Sequence, residues 1–356
     1  MQPFTVLSAA EQVAKHLRAE LLRGSLSGTM PGVYPMAAEL GVNHKTVKAA
    51  LAMLKEEGLV VGRGRGREPS IVPPSGKVAR SGLRVALLML DTRSRGQDYM
   101  IDLRHLLEDA GHVPFYPDKT LLDLGMDPKR IARFVRRTEA DAWVVAAASR
   151  EVLEWFAAQP LPAFALFGRR RELPIAGAGP DKKPPILAAT RHLIELGHRR
   201  ISLLVRRQHR LPQPGELALA YLAELEAGGI QPGDFNLPDW QESQAGFQNL
   251  LESMFHRTPP TALILDEPFL FNAAVYFAAK RGLQVPEDIS LICTDEDPSF
   301  DWCEPSVAHI RWNYRPVVRR IVRWANNVSH GKKDLRRTLT KAEFVEGGTV
   351  GVVPES

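Results

Sequence analysis

The sequence has little cysteine and no long apolar run. Its 356 residues include two cysteines, Cys293 and Cys303, which provide neither a disulfide framework nor a zinc-binding spacing. Two reduced, packed thiols are favoured over a disulfide between them. No stretch of about 18 apolar residues is available to cross a membrane, and the N-terminus lacks the basic and apolar segments of a secretory signal. These absences predict a cytoplasmic protein with no metal site and no membrane partner.

Catalytic groupings are also lacking. No Ser/His/Asp triad, Cys/His dyad or carboxylate pair occurs at a meaningful spacing. The glycines of GRGRG at 62–66 are spaced as in a phosphate-binding loop. A dinucleotide fingerprint needs a helix directly after it, however, and three prolines follow instead. We therefore predict no enzyme and no cofactor. A two-domain α/β enzyme with a basic accessory domain is a disfavoured alternative, and a transport binding protein is disfavoured by the missing signal.

The net charge of +5 is confined to one end of the chain. Residues 1–80 hold eleven Lys/Arg and six Glu with no Asp, whereas the other residues hold 35 charges of each sign. A basic excess in one small segment is typical of a protein that binds a polyanion. Chance would also account for so modest an excess, so the charge alone does not decide between these explanations.

The first 72 residues have the pattern of three helices and a basic hairpin. Apolar positions at 10, 13, 14, 17 and 21 lie on one helical face, and Ser8 with Glu11 forms a capping box. A short helix near Pro35, a turn at Gly41 and a helix over 44–57 follow, and then LVVGRGRGREPSIV at 59–72 predicts two short strands. This arrangement is a winged helix-turn-helix, in which the helix after the turn fits the major groove.

The candidate DNA contacts are hydrogen-bond donors on that helix and arginines on the wing, where slim hairpins reach a minor groove or phosphates. They are Asn43, His44, Lys45, Thr46, Lys48, Arg63, Arg65 and Arg67.

A linker at 73–82 precedes a region that alternates buried strands with helices, from LRVALLML at 83–90 to ISLICTD at 289–295. Continuous apolar strands between helices predict parallel sheets covered on both faces. The alternation occurs twice, so we expect two lobes with a cleft at the carboxyl ends of their strands.

Two regions of the chain resemble known families. GVNHKTVKAALAMLKEEGLVVGRGRG at 41–66 resembles the DNA-binding domain of the GntR family, with His44 where that family usually has arginine. HLIELGHRRISLL at 192–204, RGLQVPEDISLICTDED at 281–297 and EFVEGGTVG at 343–351 resemble the effector domain of LacI/GalR-type regulators. That second resemblance implies a periplasmic-binding-protein-like fold of two lobes, one about 83–168 and 300–327 and the other about 169–299 and 328–356.

The combination implies a transcription regulator, most simply a repressor. It implies a homodimer on a palindromic operator, controlled by a small molecule in the cleft, for which a sugar or sugar derivative is the expectation. Leu217 stands where the family has a sugar-clamping arginine, and Pro268 where it has an aspartate. These departures motivate an alternative in which the lobes bind no ligand and serve for dimerisation.

Candidate ligand residues come from loops that follow predicted strands. Asp295 is also explained as a helix cap or a partner of Arg93, and Trp302 as a packed aromatic at the hinge. Arginines 169–171 are expected in a solvated crossover loop or at a dimer edge, and His198 is expected to organise a turn. The candidates are Asp91, Arg93, Tyr99, Ser149, Arg206, Asp266, Glu267, Asp295 and Trp302.

Overall fold

The structure is a computed structural model that describes residues 8–23, 30–57, 59–61, 70–71 and 82–353. No helix among these residues is both long enough and apolar enough to cross a membrane. Within the same ranges, no group of three or more His, Cys, Asp or Glu side chains is placed to hold a metal ion.

The N-terminal domain has the predicted order of elements. Helices α1 (Ala9–Arg23), α2 (Val33–Glu39) and α3 (His44–Glu56) precede strands β1 (Val60–Val61) and β2 (Ser70–Ile71). The two strands pair antiparallel. The predicted capping box is confirmed, because Ser8 N donates to Glu11 Oε2 at 2.7 Å and Glu11 N donates to Ser8 Oγ at 3.3 Å. Apolar side chains of all three helices pack into one core.

The first lobe is a parallel sheet with helices on both faces. Its strands are β3 (Arg84–Leu88), β4 (Val113–Phe115), β5 (Ala142–Ala146), β6 (Ala163–Leu166) and β7 (Ala176–Asp181). Helices α4 (Asp98–Asp109) and α12 (Arg315–Ser329) pack on one face. Helices α5 (Pro128–Arg137) and α6 (Arg150–Ala157) pack on the other. The first-lobe core is thus formed on both faces of the sheet, as the apolar strand pattern predicts.

The second lobe repeats this design. Its strands are β8 (Ile201–Leu204), β9 (Ala262–Leu265), β10 (Ser290–Cys293) and β11 (Ala308–Trp312). Its helices are α7 (Lys183–Glu195), α8 (Arg207–Arg210), α9 (Glu216–Ala227), α10 (Gln244–Arg257) and α11 (Pro268–Lys280). The cores lie against both faces of this sheet as well.

Strand β12 (Arg337–Val345) joins the lobes. Its first half pairs parallel with β7, and its second half pairs antiparallel with β11. The sheet order is therefore β4-β3-β5-β6-β7-β12-β11-β10-β9-β8. The chain passes between lobes after β7, after β11 and within β12.

These crossings correct the expected lobe boundaries in three places. Residues 328–356 are expected in the second lobe, but the first half of β12 pairs with β7 in the first. Residues 169–299 are also expected in the second lobe, but β7 pairs with β6 in the first lobe. Residues 300–327 are expected in the first lobe, but β11 pairs with β10 in the second. The glycine-rich strand AGAGPD and the mixed strand AHIRW have no continuous apolar run, so the expected pattern for a buried strand was missing there.

Candidate functional site

The first candidate site is the start of α3. Gly41 takes a positive φ of 64° in the turn before it, which favours glycine. The side chain of Asn43 accepts from Lys45 N at 2.9 Å and so caps the helix. In helix-turn-helix proteins the N-terminal residues of the second helix are the ones that contact base edges.

The predicted DNA contacts fall into three groups. Asn43, Lys45 and Lys48 are exposed along α3. His44 and Thr46 are half-buried, and the ring of His44 stacks on Tyr34 with 5.4 Å between ring centroids. Arg63, Arg65 and Arg67 lie outside the described residues. The first half of the helix therefore presents two lysines, Lys45 and Lys48, with no ion-pair partner among the described side chains.

The second candidate site is the cleft between the lobes, with Arg206 at its centre. This side chain is only 3% exposed, and its guanidinium contacts three carboxylates. Nε lies 2.6 Å from Glu242 Oε1, and Nη1 lies 3.0 Å from Glu267 Oε1 and 3.6 Å from Asp91 Oδ2. Burial disfavours the charged guanidinium, but Glu267 and Glu242 outweigh it and raise the pKa of Arg206.

One of these contacts, that of Arg206 with Asp91, crosses from one lobe to the other. Asp91 follows β3 of the first lobe, whereas Arg206 follows β8 of the second. Arg93 pairs with Asp91 at 2.7 Å and lies over the ring of Phe269 at 4.1 Å from its centroid. The lobes are therefore joined across the cleft by the ion pair of Arg206 with Asp91 and by this cation–π contact.

A second polar group surrounds Asp295. Lys182 Nζ lies 2.9 Å from its Oδ2, and Trp312 Nε1 donates to its Oδ1 at 2.8 Å. The ring of Tyr99 packs against Phe167 and Trp312. Burial, and then the charge of Asp295, raises the pKa of Tyr99, so this phenol stays neutral and able to donate a hydrogen bond.

Glu267 is the most perturbed acid of the cleft. Burial raises its pKa to about 7, with Asp266 and Asp91 adding to the rise and Arg206 opposing it. Asp91 behaves oppositely, because Arg93 and Arg206 outweigh its burial and lower its pKa. A proton on Glu267 relieves the excess of carboxylates around Arg206.

Most predicted ligand residues meet in this cleft. Asp91, Arg93, Arg206 and Glu267 share contacts, and Asp266 accepts from Arg206 N at 3.1 Å. Tyr99 and Asp295 line the same region. Ser149, in contrast, caps α6 by accepting from Val152 N at 3.4 Å, and its described contacts are within that helix.

No hydrogen bond, ion pair or ring contact among the described residues joins Trp302 to the other ligand candidates. Its side chain is 90% exposed. It ends a 3₁₀ helix over Pro298–Trp302 in which Phe300 is buried against Phe271. At three residues per turn, a residue two positions after an inward-facing one points away from the core.

The three arginines after β6 have separate roles rather than one solvated loop. Arg169 Nη1 donates to the carbonyl oxygens of Leu211 and Gln213 in the second lobe. Arg171 pairs with Glu216 at 2.9 Å. Arg170 lies along β7, and it has no ion-pair partner among the described residues. His198 is buried and contacts Thr261 and the Gly351 carbonyl oxygen, as expected for a residue that organises a turn.

Sequence reasoning missed several cleft residues. Lys182 follows β7, a strand the pattern did not reveal, and Trp312 ends β11, which was also missed. Glu242 and Phe269 stand at the starts of α10 and α11, so inspection of helix starts, and not only of strand ends, would have found them. A cavity of about 200 Å³ beside Arg206 is lined by Arg93, Trp240, Glu242, Phe247 and Phe269 among others.

Comparisons with known proteins find matches to both parts of the chain. A sequence model for the gntR family of bacterial regulatory proteins matches residues 9–67. A second, for a periplasmic binding protein-like domain, matches residues 190–350. The chain therefore joins a gntR-type winged helix-turn-helix domain to a periplasmic binding protein-like domain.

Relatives and solved structures agree with this architecture. The HTH-type transcriptional repressor PurR of Klebsiella pneumoniae is 30% identical over 122 residues, which cover 34% of this chain and 36% of that protein. The chain thus matches about a third of the length of these curated relatives.

Among solved structures, the complex of transcriptional regulator CelR with cellobiose superposes with a TM-score of 0.61 at 17% identity, covering 90% of this chain and all of that one. The Lac repressor dimer bound to operator and an anti-inducer gives 0.60 at 16% identity, covering 76% and 94%. The C-terminal domain has the fold of LacI-type regulators, and the two-lobed prediction is confirmed.

Proposed function

We propose that this protein is a transcription regulator that binds DNA through α3 and the following wing, and whose affinity for DNA is set by a small molecule bound between its lobes. The observation that carries the proposal is the cleft, where charged side chains of both lobes meet at the carboxyl ends of their strands. A ligand that replaces the contact between Asp91 and Arg206 changes how far the lobes close. The open and closed arrangements of the lobes are two states whose populations an effector shifts.

Several finer statements belong to the same proposal. The PurR relatives are repressors, which supports repression. The CelR complex holds cellobiose, which supports a sugar or sugar derivative as effector. The Lac repressor is a dimer on its operator, which supports a homodimer on a palindromic site. A regulator of this kind works in the cytoplasm.

A substitution in α3 tests DNA binding. Lys45→Ala should abolish sequence preference on genomic fragments selected by the wild-type protein, because an exposed donor at the start of a recognition helix reads bases. Lys55→Ala, at the other end of α3, is the matched control and should bind as the wild type does. The readout is a footprint on the selected fragments. Equal footprints for both variants would remove α3 from the interface.

A second candidate function is a DNA-binding dimer whose lobes take no ligand. The observation that favours it is that Arg206, Asp295 and Lys182 are already paired within the protein. A thermal-shift screen with mono- and disaccharides and their phosphates separates the two. A ligand at 100 times its Kd adds about 2.7 kcal/mol of stability, so a shift with one compound supports an effector, and no shift with any supports the second function.

A further inference from the structure

The end of the first lobe opposite the cleft carries a group of unpaired cations. We call it the basic edge, and it consists of Lys332, Lys333, Arg336 and Arg337. All four residues are exposed, and none has an ion pair with any described carboxylate. Residues 332–337 include one acid, Asp334, which forms an ion pair with Arg320. Arg320 Nη2 lies 2.7 Å from Asp334 Oδ1, and both side chains are nearly buried. The edge therefore has no counter-charge of its own.

A fifth cation lies directly beside the basic edge. Arg170 runs along β7, where a Cβ at Gly177 would come within 2.6 Å of its Cδ, so glycine leaves the space in which this arginine lies. Gly177 is opposite Arg337 in the sheet. Burial, and then the charge of Arg337, lowers the pKa of Arg170 to about 10. Two neighbouring cations without an acid give this surface a positive potential that favours the approach of an anion.

The basic edge lies where the chain enters from the DNA-binding domain. Leu83 N donates to His112 Nδ1 at 3.1 Å, and His112 Nε2 lies 3.1 Å from Asn326 Oδ1 near the end of α12. The turn into the edge follows at once, with Lys332 N donating to the Asn327 carbonyl oxygen at 2.9 Å. Residues 72–81 connect this point to the N-terminal domain and span at most about 35 Å when extended.

From this placement we infer that the basic edge of the first lobe binds the DNA phosphate backbone beside the site that the N-terminal domain recognises. This inference rests on the proposed DNA-binding function and adds a second contact surface to it. Duplex DNA carries one negative charge per about 1.7 Å of its axis, so DNA held within reach of the linker supplies the missing counter-charge. Contacts to phosphates add affinity and fix orientation without reading sequence.

The test compares three full-length proteins on a long mixed-sequence duplex across a salt series. One carries K332Q, K333Q, R336Q and R337Q. The matched control carries K119Q, K129Q, R257Q and K280Q, which removes the same charge from exposed residues that lie elsewhere. The third is the wild type. Each phosphate contact contributes about 0.9 to the slope of log K against log salt.

We expect the edge variant to lose about 2 or more from the slope and to bind roughly tenfold more weakly at low salt, while the control keeps the wild-type slope. Equal slopes for edge variant and control would overturn the inference. So would a change in oligomeric state with unchanged DNA binding, which would assign the edge to a contact between protein chains.

Failure of the underlying function is distinguishable from failure of this inference. If the protein were not a DNA-binding regulator, the wild type would show no salt-dependent binding and Lys45→Ala would change nothing. If only the basic edge were misassigned, wild type and control would bind, Lys45→Ala would lose sequence preference, and the edge variant would match the control.

Discussion

The two ends of the first lobe differ in whether their charged side chains are paired. At the cleft, Asp91 is nearly buried and pairs with Arg93 and Arg206. At the basic edge, Lys332, Lys333, Arg336 and Arg337 are exposed and have no described acid beside them. One sheet thus ends in a neutralised network on one side and in uncompensated cations on the other.

The difference follows from burial. A charge removed from water must be paired, because desolvation costs several kcal/mol per ion. A charge left in water needs no partner and is available to a ligand that brings its own counter-charge. The cleft therefore contributes to the closure of the protein on itself, and the basic edge is suited to a polyanion.

The largest expected effect is at Arg206. Arg206→Met should lower the free energy of unfolding by about 3–5 kcal/mol, because removal of one partner of a buried pair leaves the others uncompensated. Three carboxylates, those of Asp91, Glu242 and Glu267, depend on this guanidinium. Urea unfolding at neutral pH measures the loss.

Arg207→Met is the matched control for that change. Arg207 is the next residue and is exposed, so its substitution should alter stability by less than about 0.5 kcal/mol. A similar small effect for both variants would mean that the cleft network contributes little to stability, and the contrast between the two ends of the lobe would then disappear.

A smaller effect is expected from protonation of Glu267. Its pKa of about 7 is above the ordinary value of 4.5. Between pH 4.5 and pH 7 the folded protein therefore holds a proton that the unfolded chain has already released. The contribution of Glu267 to the free energy of unfolding therefore falls as pH rises from 4.5 to 7. Glu267→Gln removes this loss, and the variant should gain stability relative to wild type across that window and remain level above it.

Asp91→Asn provides a comparison of opposite sign. The lowered pKa of Asp91 gives stability that is present above its unfolded value and lost as pH falls. Buried histidines such as His198, whose pKa is lowered by burial, titrate in all three proteins, so differences between melting curves isolate each carboxylate. A pH-independent difference between Glu267→Gln and wild type would contradict the raised pKa.

Much of this architecture could be predicted from the sequence, because it depends on local patterns. The capping box at Ser8, the cap at Asn43 and the apolar runs of β3, β5 and β9 specify their elements without knowledge of the tertiary fold. The same holds for the cleft residues that directly follow such strands, including Asp91, Arg206 and Asp295.

What could not be predicted depends on contacts distant in sequence. β7 lacks an apolar run because the side chain of Arg170 lies where side chains at Gly177 and Gly179 would be. β12 lacks one because exposed residues alternate with partly buried ones along its first half. Phe269 is a cleft residue through its contacts with Arg93, which lies in the other lobe, and with Arg206. The basic edge was hidden by an overall charge of zero for residues 81–356, since net charge does not show which cations are paired.

The smallest expected effect on stability is at the basic edge itself. Replacing all four of its cations by glutamine should change the free energy of unfolding by less than about 0.5 kcal/mol per site, and in the favourable direction at Arg337, because the substitution relieves its repulsion of Arg170. Urea unfolding without DNA measures this, with Lys119, Lys129, Arg257 and Lys280 replaced as the control. A loss as large as that of Arg206→Met would show that these cations hold the lobe together, and the basic edge would then be a structural element rather than a surface kept for an external anion.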